Sequence, residues 1–334
     1  MERMLTMRQA LNEALRLEMQ RDETVIAVGE DIAGAPGRAE YLDCWGGTMQ
    51  VTKGLIGEFG ARRVIDTPIS ESAIVGAAVG AAATGLRPVA EVMFISFIGV
   101  CLDQIANQAA IMHFVSAGRV RVPVTFRMNI GAGVGAAAQH SDSVYSVLAH
   151  YPGLKIAVPS NAADAKGLMT SAIRDDNPVV VCEHKRLYND KGMVPRGEYS
   201  VPLGEGRYAR RGGDVTIVAI GAMVKIALEA AQLLQKEGIE SEVVDPRTLV
   251  PLDEESILAS LAKTGRLCIV DEDHPCCGMG RDIAARMAEK GYHDLKAPPV
   301  VITPPETPVP FAPNLENDYL PTAARVCSAV RKFY

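Results

Sequence analysis

Short apolar, β-branched runs alternate with helix-length segments along almost the whole chain, and this alternation constrains the fold more than any other feature. Strand-like runs fall at 24–28, 63–66, 88–93, 122–128, 155–158 and 178–182. Helical patterns lie between them at 70–85, 99–115, 141–150 and 161–175, and an amphipathic helix capped by Thr6 is predicted over 6–21. Strands joined through helices cannot close as tight hairpins. They lie parallel, and a parallel sheet needs cover on both faces. Residues 33–60 are Gly-rich and weakly periodic, so they read as mostly loop. Between 188 and 213 the composition turns to Gly, Pro and polar residues. The pattern then restarts, with strands at 215–220, 242–244, 267–270 and 300–303 and helices at 222–236, 251–263 and 280–289. The reading is two α/β domains, 1–190 and 210–334, joined by a linker at 191–209.

A length of 334 residues suits two domains at about 150 residues each. Lys and Arg total 34 against 40 Asp and Glu, a formal charge of −6 with no basic run, which argues against a nucleic-acid partner. A 48% hydrophobic share excludes disorder. The apolar stretch 73–86 is too short to span a bilayer, and Met1-Glu2-Arg3-Met4 begins no signal core. Seven scattered cysteines, an odd number without Cys-x-x-Cys, read as reduced thiols of a cytoplasmic protein with no membrane partner. The adjacent Cys276-Cys277 is either incidental or a redox pair. P-loop, zinc and nucleophile-elbow motifs are absent, and Gly131-Ala132-Gly133-Val134-Gly135 lacks the spacing of a dinucleotide loop.

Two acid–base candidates stand out. Glu71 opens the small-residue helix, either as a first-turn glutamate on the helix dipole or as a carboxylate in an apolar pocket. His140 follows the Gly/Ala stretch 131–138, either as a hydrogen-bonding residue near the next helix or as a proton donor on a loop. His113, His150, His184, His274 and His293 lack comparable settings and read as structural.

Several sequence words are familiar. Asp66-Thr67-Pro68-Ile69-Ser70-Glu71, Gly85-Leu86-Arg87-Pro88-Val89-Ala90-Glu91, Gln139-His140-Ser141, Asp164-Ala165-Lys166-Gly167-Leu168, Ala172-Ile173-Arg174-Asp175-Asp176-Asn177-Pro178 and Asp245-Pro246-Arg247-Thr248 occur in order over essentially the whole chain. Together they resemble the beta subunit of the thiamine-diphosphate-dependent decarboxylase component of 2-oxo acid dehydrogenase complexes. The pyruvate, branched-chain 2-oxo acid and acetoin dehydrogenase systems share this subunit. Asp43-Cys44-Trp45-Gly46-Gly47, Val51-Thr52-Lys53-Gly54 and Thr307-Pro308-Val309-Pro310-Phe311 look most like the acetoin branch.

The resemblance implies a thiamine-diphosphate-binding α/β fold, with a pyrimidine-binding domain followed by a transketolase C-terminal-type domain. It implies an α2β2 heterotetramer whose alpha subunit holds Mg2+ and the diphosphate. In agreement, the chain has no Gly-Asp-Gly of the diphosphate motif. It further implies a lipoyl-bearing dihydrolipoyl acyltransferase core as partner, and cleavage of acetoin with release of acetaldehyde, or decarboxylation of a 2-oxo acid. By resemblance, Glu71 hydrogen-bonds the cofactor's pyrimidine, Phe97 packs on that ring and Met93 walls it. His140 donates a proton during transfer to the lipoyl sulfur. Glu30 and Asp103 line a polar path, with Asp103 a relay; Val100 stands where relatives can be acidic. A potassium ion would be held by Val124, Ala172, Ile173, Asp175 and Asn177, although a helix-end turn explains the same residues. A reading of another class is a non-catalytic assembly subunit, which the presence of both Glu71 and His140 argues against.

Overall fold

A computed structural model describes residues 2–33 and 46–334. Cys44 and the 34–45 part of the expected loop lie outside the described residues. Contacts divide the chain into two compact units, Met1–Ile130 with Val147–Leu203, and Gly131–Ser146 with Gly204–Tyr334.

In the first unit, strands β1 (Glu2–Thr6), β2 (Val25–Glu30), β3 (Val64–Thr67), β4 (Arg87–Phe94), β5 (Thr125–Ile130), β6 (Lys155–Ala157), β7 (Val179–His184) and β8 (Lys191–Pro195) form. The parallel strands lie side by side in the order β6-β7-β5-β4-β2-β3. Burial on both faces explains why β5 and β7 are buried at every position. β1 pairs antiparallel with β8, so part of the expected linker is a strand held by the chain's start. This pairing is non-local, which is why the local pattern at residues 2–6 did not announce it.

Helices α1 (Met7–Arg21), α2 (Leu55–Phe59), α3 (Glu71–Ala83), α4 (Ile98–Asp103), α5 (Ala110–Val115), α6 (Tyr145–Ala149) and α7 (Ala162–Arg174) follow in chain order. A capping box between Thr6 and Gln9 starts α1, and α1 packs on α7. The expected single helix over 99–115 is instead composite: a 3-10 turn at Ile95–Phe97, α4 with a kink at Cys101, a π-helical stretch at Gln104–Ala109, and α5. By length and composition alone, Ile95–Val115 could cross a membrane. It buries Ile98, Cys101, Ile105 and Ala109 and packs on α3, while Val100, Phe114 and Val115 stay exposed.

In the second unit, β9 (Arg207–Arg210), β10 (Val215–Ala219), β11 (Ser241–Asp245), β12 (Thr248–Val250), β13 (Leu267–Val270) and β14 (Val300–Ile302) form. A five-stranded sheet runs β14-β13-β10-β11-β9, parallel except for β9. Helices α8 (Met223–Gln235), α9 (Glu254–Thr264), α10 (Met279–Lys290), α11 (Pro313–Tyr319) and α12 (Ala323–Arg331) accompany it. α8 packs with α12, and α9 with α10. α11 and α12 were not legible in the Pro-rich C-terminal stretch. Pro313 opens α11 at a position whose missing N–H costs nothing.

Candidate functional site

β2 leads to β3 on one side of the sheet, whereas β4, on β2's other side, leads onward to β5. The carboxyl ends of β2 and β4 therefore flank a switch point, where ligands bind in open α/β sheets. Glu30 ends β2, Met93 stands near the end of β4 and Phe97 follows in the 3-10 turn. Glu71 opens α3 after β3.

Glu71 is buried at 8% exposure, and no arginine, lysine or histidine pairs with it among the described residues. A carboxylate at this low exposure, with no cation among the described residues, is open to an external partner. Its charge is felt nearby. Burial, then the charges of Asp31 and Glu71, push the Glu30 carboxyl up. Burial, then Glu71, push the Cys101 thiol up to about 12, which makes it inert. Phe94 and Phe97 meet edge to face with centroids 5.8 Å apart. The buried hydroxyls of Thr67 and Ser96 have no hydrogen-bond partner among the described residues. Asp103 is exposed and accepts from Asn107 within its own helix at 2.8 Å.

Beneath Met93 runs a buried polar chain. Asn129 Nδ2 donates to the Met93 carbonyl at 2.6 Å. The Tyr188 hydroxyl bridges Asn129 and Glu183, 2.7 Å from Glu183 Oε2. Arg127 grips Glu183 through Nε at 2.7 Å and Nη2 at 2.6 Å, and bonds Glu91 through Nη1. Burial opposes the Arg127 charge, but Glu183 and Glu91 outweigh it and hold its pKa above the ordinary value. Burial raises the Glu91 carboxyl, against the pull of Arg127. Sequence reasoning missed this chain. The available signal was the charged residues Glu91, Arg127 and Glu183 inside otherwise apolar strands.

His140 belongs to the second unit, half-buried at the end of the short helical turn Ala138–His140. The loop before it alternates into the left-handed region at Gly131, Gly133, Gly135 and Ala137. At Ala137 a side chain makes this conformation cost about 1–2 kcal/mol. The buried hydroxyls of Ser141 and Ser143 have no hydrogen-bond partner among the described residues.

The potassium candidates are gathered at one turn. The Ile173 and Asp175 carbonyls accept from Arg87 Nη1 at 3.1 and 3.0 Å, and Lys155 Nζ meets Asp175 Oδ2 at 2.5 Å. Asp175 Oδ1 accepts from both nitrogens of Asn177, and the Val124 carbonyl accepts from the Val179 N–H. The Ala172 carbonyl accepts from the Asp175 N–H at 3.3 Å, so all five candidates lie about a turn that Arg87 and Lys155 also reach.

Comparison with known proteins agrees with this architecture. Residues 3–191 match the model for "Transketolase, pyrimidine binding domain", and residues 204–326 match "Transketolase, C-terminal domain". The chain is 52% identical over 99% of its length, and 98% of the relative's, to the "Acetoin:2,6-dichlorophenolindophenol oxidoreductase subunit beta" of Cupriavidus necator. It is 52% identical to the Bacillus subtilis protein of the same description, over 98% of the chain and 96% of the relative. The "Pyruvate dehydrogenase E1 component subunit beta" of Rickettsia conorii is 43% identical over 98% of both chains. The chain belongs to the beta-subunit family of 2-oxo acid and acetoin dehydrogenases.

The fold of this beta-subunit family member is transketolase-like. A solved "Split gene transketolase, inactive beta4 tetramer" superposes with a TM-score of 0.76 at 24% identity, covering 98% of this chain and 97% of that one. The beta-subunit family is one of thiamine-diphosphate enzymes. Glu71, with no cation among the described residues, and the half-buried Phe97 after β4 are residue types that fit the pyrimidine half of that cofactor, an acceptor and an aromatic wall.

Proposed function

We propose that this chain is the beta subunit of an α2β2 dehydrogenase component that cleaves acetoin, releases acetaldehyde, and delivers the remaining two-carbon unit to lipoamide on an acyltransferase core. The observation that carries the reading is the buried Glu71 carboxylate at the switch point, with no cation to neutralise it among the described residues. The 52% identity to two acetoin oxidoreductase beta subunits, against 43% to a pyruvate dehydrogenase subunit, supports acetoin over an oxo acid.

When bound, thiamine diphosphate supplies a nucleophilic carbon that adds to the substrate carbonyl and accommodates the electron pair left by C–C cleavage. Glu71 would hold the proton at the pyrimidine N1′ of the bound cofactor. Phe97 and Met93 wall the ring, and the Asn129 amide fixes the strand end that carries Met93. Glu30 places a second desolvated carboxyl on the same side of the sheet. His140 donates a proton to the lipoyl sulfur as the acyl unit is taken up. The partner alpha subunit holds Mg2+ and the diphosphate. Asp103, itself exposed at the end of α4, is the relay candidate.

Turnover of the chain co-expressed with its alpha subunit tests the reading. Thiamine diphosphate, Mg2+ and 2,6-dichlorophenolindophenol are supplied, and acetoin, pyruvate and 3-methyl-2-oxobutanoate are compared. The expected result is the highest kcat/KM for acetoin. A preference for pyruvate establishes the second reading, favoured by the Rickettsia relative.

A further inference from the structure

The segment that carries His140 is held by carboxylates from far along the chain. The Gly133 N–H donates to Glu316 Oε1 at 2.7 Å, and the Gly135 N–H donates to Glu316 Oε2 at 2.9 Å. The Ala132 N–H donates to Glu272 Oε1 at 2.6 Å. Both oxygens of Glu316 are thus engaged by backbone amides two residues apart. Left-handed conformations at Gly133 and Gly135 let those amides face one anion, the geometry of a backbone nest. Glu316 is 4% exposed on α11, and its helix brings Tyr319 and Leu320 into one apolar cluster with Val309 and Ala132. The far end of the loop is closed by the Gly131 N–H on the Asp142 carbonyl at 2.9 Å. His274 Nε2 lies 3.6 Å from Asp142 Oδ1.

We propose that Glu316 is a positioning residue for His140. It acts through the Gly133–Gly135 backbone, fixing where the imidazole stands when the lipoyl disulfide arrives. Charge-assisted bonds from a buried carboxylate are strong enough to select one loop conformation among those a Gly-rich segment can adopt. Glu272 holds the adjacent amide and completes the seat. The inference rests on the proposed role of His140 in transfer to lipoamide.

The test uses the reconstituted heterotetramer with Glu316→Gln, Glu316→Asp and His140→Ala, each assayed with lipoamide and with 2,6-dichlorophenolindophenol as acceptor. Hydrogen exchange is followed in the same preparations. Glu316→Gln leaves one acceptor and turns an amide N–H2 toward a backbone N–H. Its lipoamide-to-dye turnover ratio is expected to fall about tenfold or more, in the direction of His140→Ala, because small misplacements of a catalytic group cost heavily. Amide exchange over 131–137 is expected to speed up while 323–331 stays protected. Glu316→Asp keeps the charge one methylene short, and its ratio should shift the same way by less. If Glu316→Gln does not assemble, the Glu316→Asp shift decides alone, and an unshifted ratio overturns the proposal. A shifted ratio for His140→Ala with a wild-type ratio and exchange for Glu316→Gln refutes the positioning role and leaves the His140 reading standing. An unshifted ratio for His140→Ala removes that reading and the proposal with it.

Discussion

Glu71 combines two demands that ordinarily conflict. A carboxylate at the first turn of a helix helps the helix dipole, but one buried without a cation is a liability to the folded chain. Sites that keep such a liability do so for function, and removing it separates activity from stability. Glu71→Gln should lower turnover by about a hundredfold or more. Its unfolding midpoint in the absence of cofactor should equal or exceed that of the parent chain. Parallel thermal melts and steady-state assays check both halves, and a large loss of stability would show that Glu71 is chiefly structural. Bare sequence left Glu71 open between capping and chemistry. The run after Pro68 says where a helix starts but not whether a lysine from elsewhere reaches it. The family words supplied the role, and the structure shows that no cation reaches Glu71 among the described residues.

Elements were more legible than the contacts between them. The parallel strands of both units and the helices α1, α7, α8, α9 and α10 follow from local periodicity, because each buries a face or a run that its own residues define, and α3 follows from its run of small residues. The strand pair β1–β8, the 3-10 and π segments within Ile95–Val115, and the polar chain through Arg127 did not follow. Each is fixed by partners remote in sequence. Arg127 on β5 links β4, through Glu91, to β7, through Glu183. Replacing it by Met leaves two buried carboxylates uncompensated. Arg127→Met should therefore destabilise the chain by about 3–5 kcal/mol, read as a lower urea midpoint. Arg127→Met combined with Glu183→Gln should recover part of the loss, because one of the stranded charges is gone.

At the scale of the whole molecule, pH acts through the second unit's acidic turn. Burial, then the charge of Asp271, push the Asp273 carboxyl up to about 7. Burial also raises Asp271, whose carboxylate accepts from the Tyr145 hydroxyl. An acid with a raised folded pKa binds more protons folded than unfolded between the two values. Its contribution to stability is therefore greatest below about pH 4 and is lost as pH rises through about 7. Asp273→Asn removes that loss. Chemical denaturation at about pH 5 and pH 8 should show the variant gaining on the parent chain as pH rises. A constant difference between the two proteins would place the strain elsewhere.

The loop over 131–146 sits within the first half of the sequence, yet its anchors, Glu272, Asp273 and Glu316, are all in the last third. Modular inheritance is therefore constrained. A gene fusion or recombination event with its crossover near residue 203 would exchange what looks like a complete rear domain and at once part the histidine loop from the rest of its own unit. Productive chimeras must carry the loop together with its distant carboxylates, so lineages of this subunit should exchange these two stretches together or not at all.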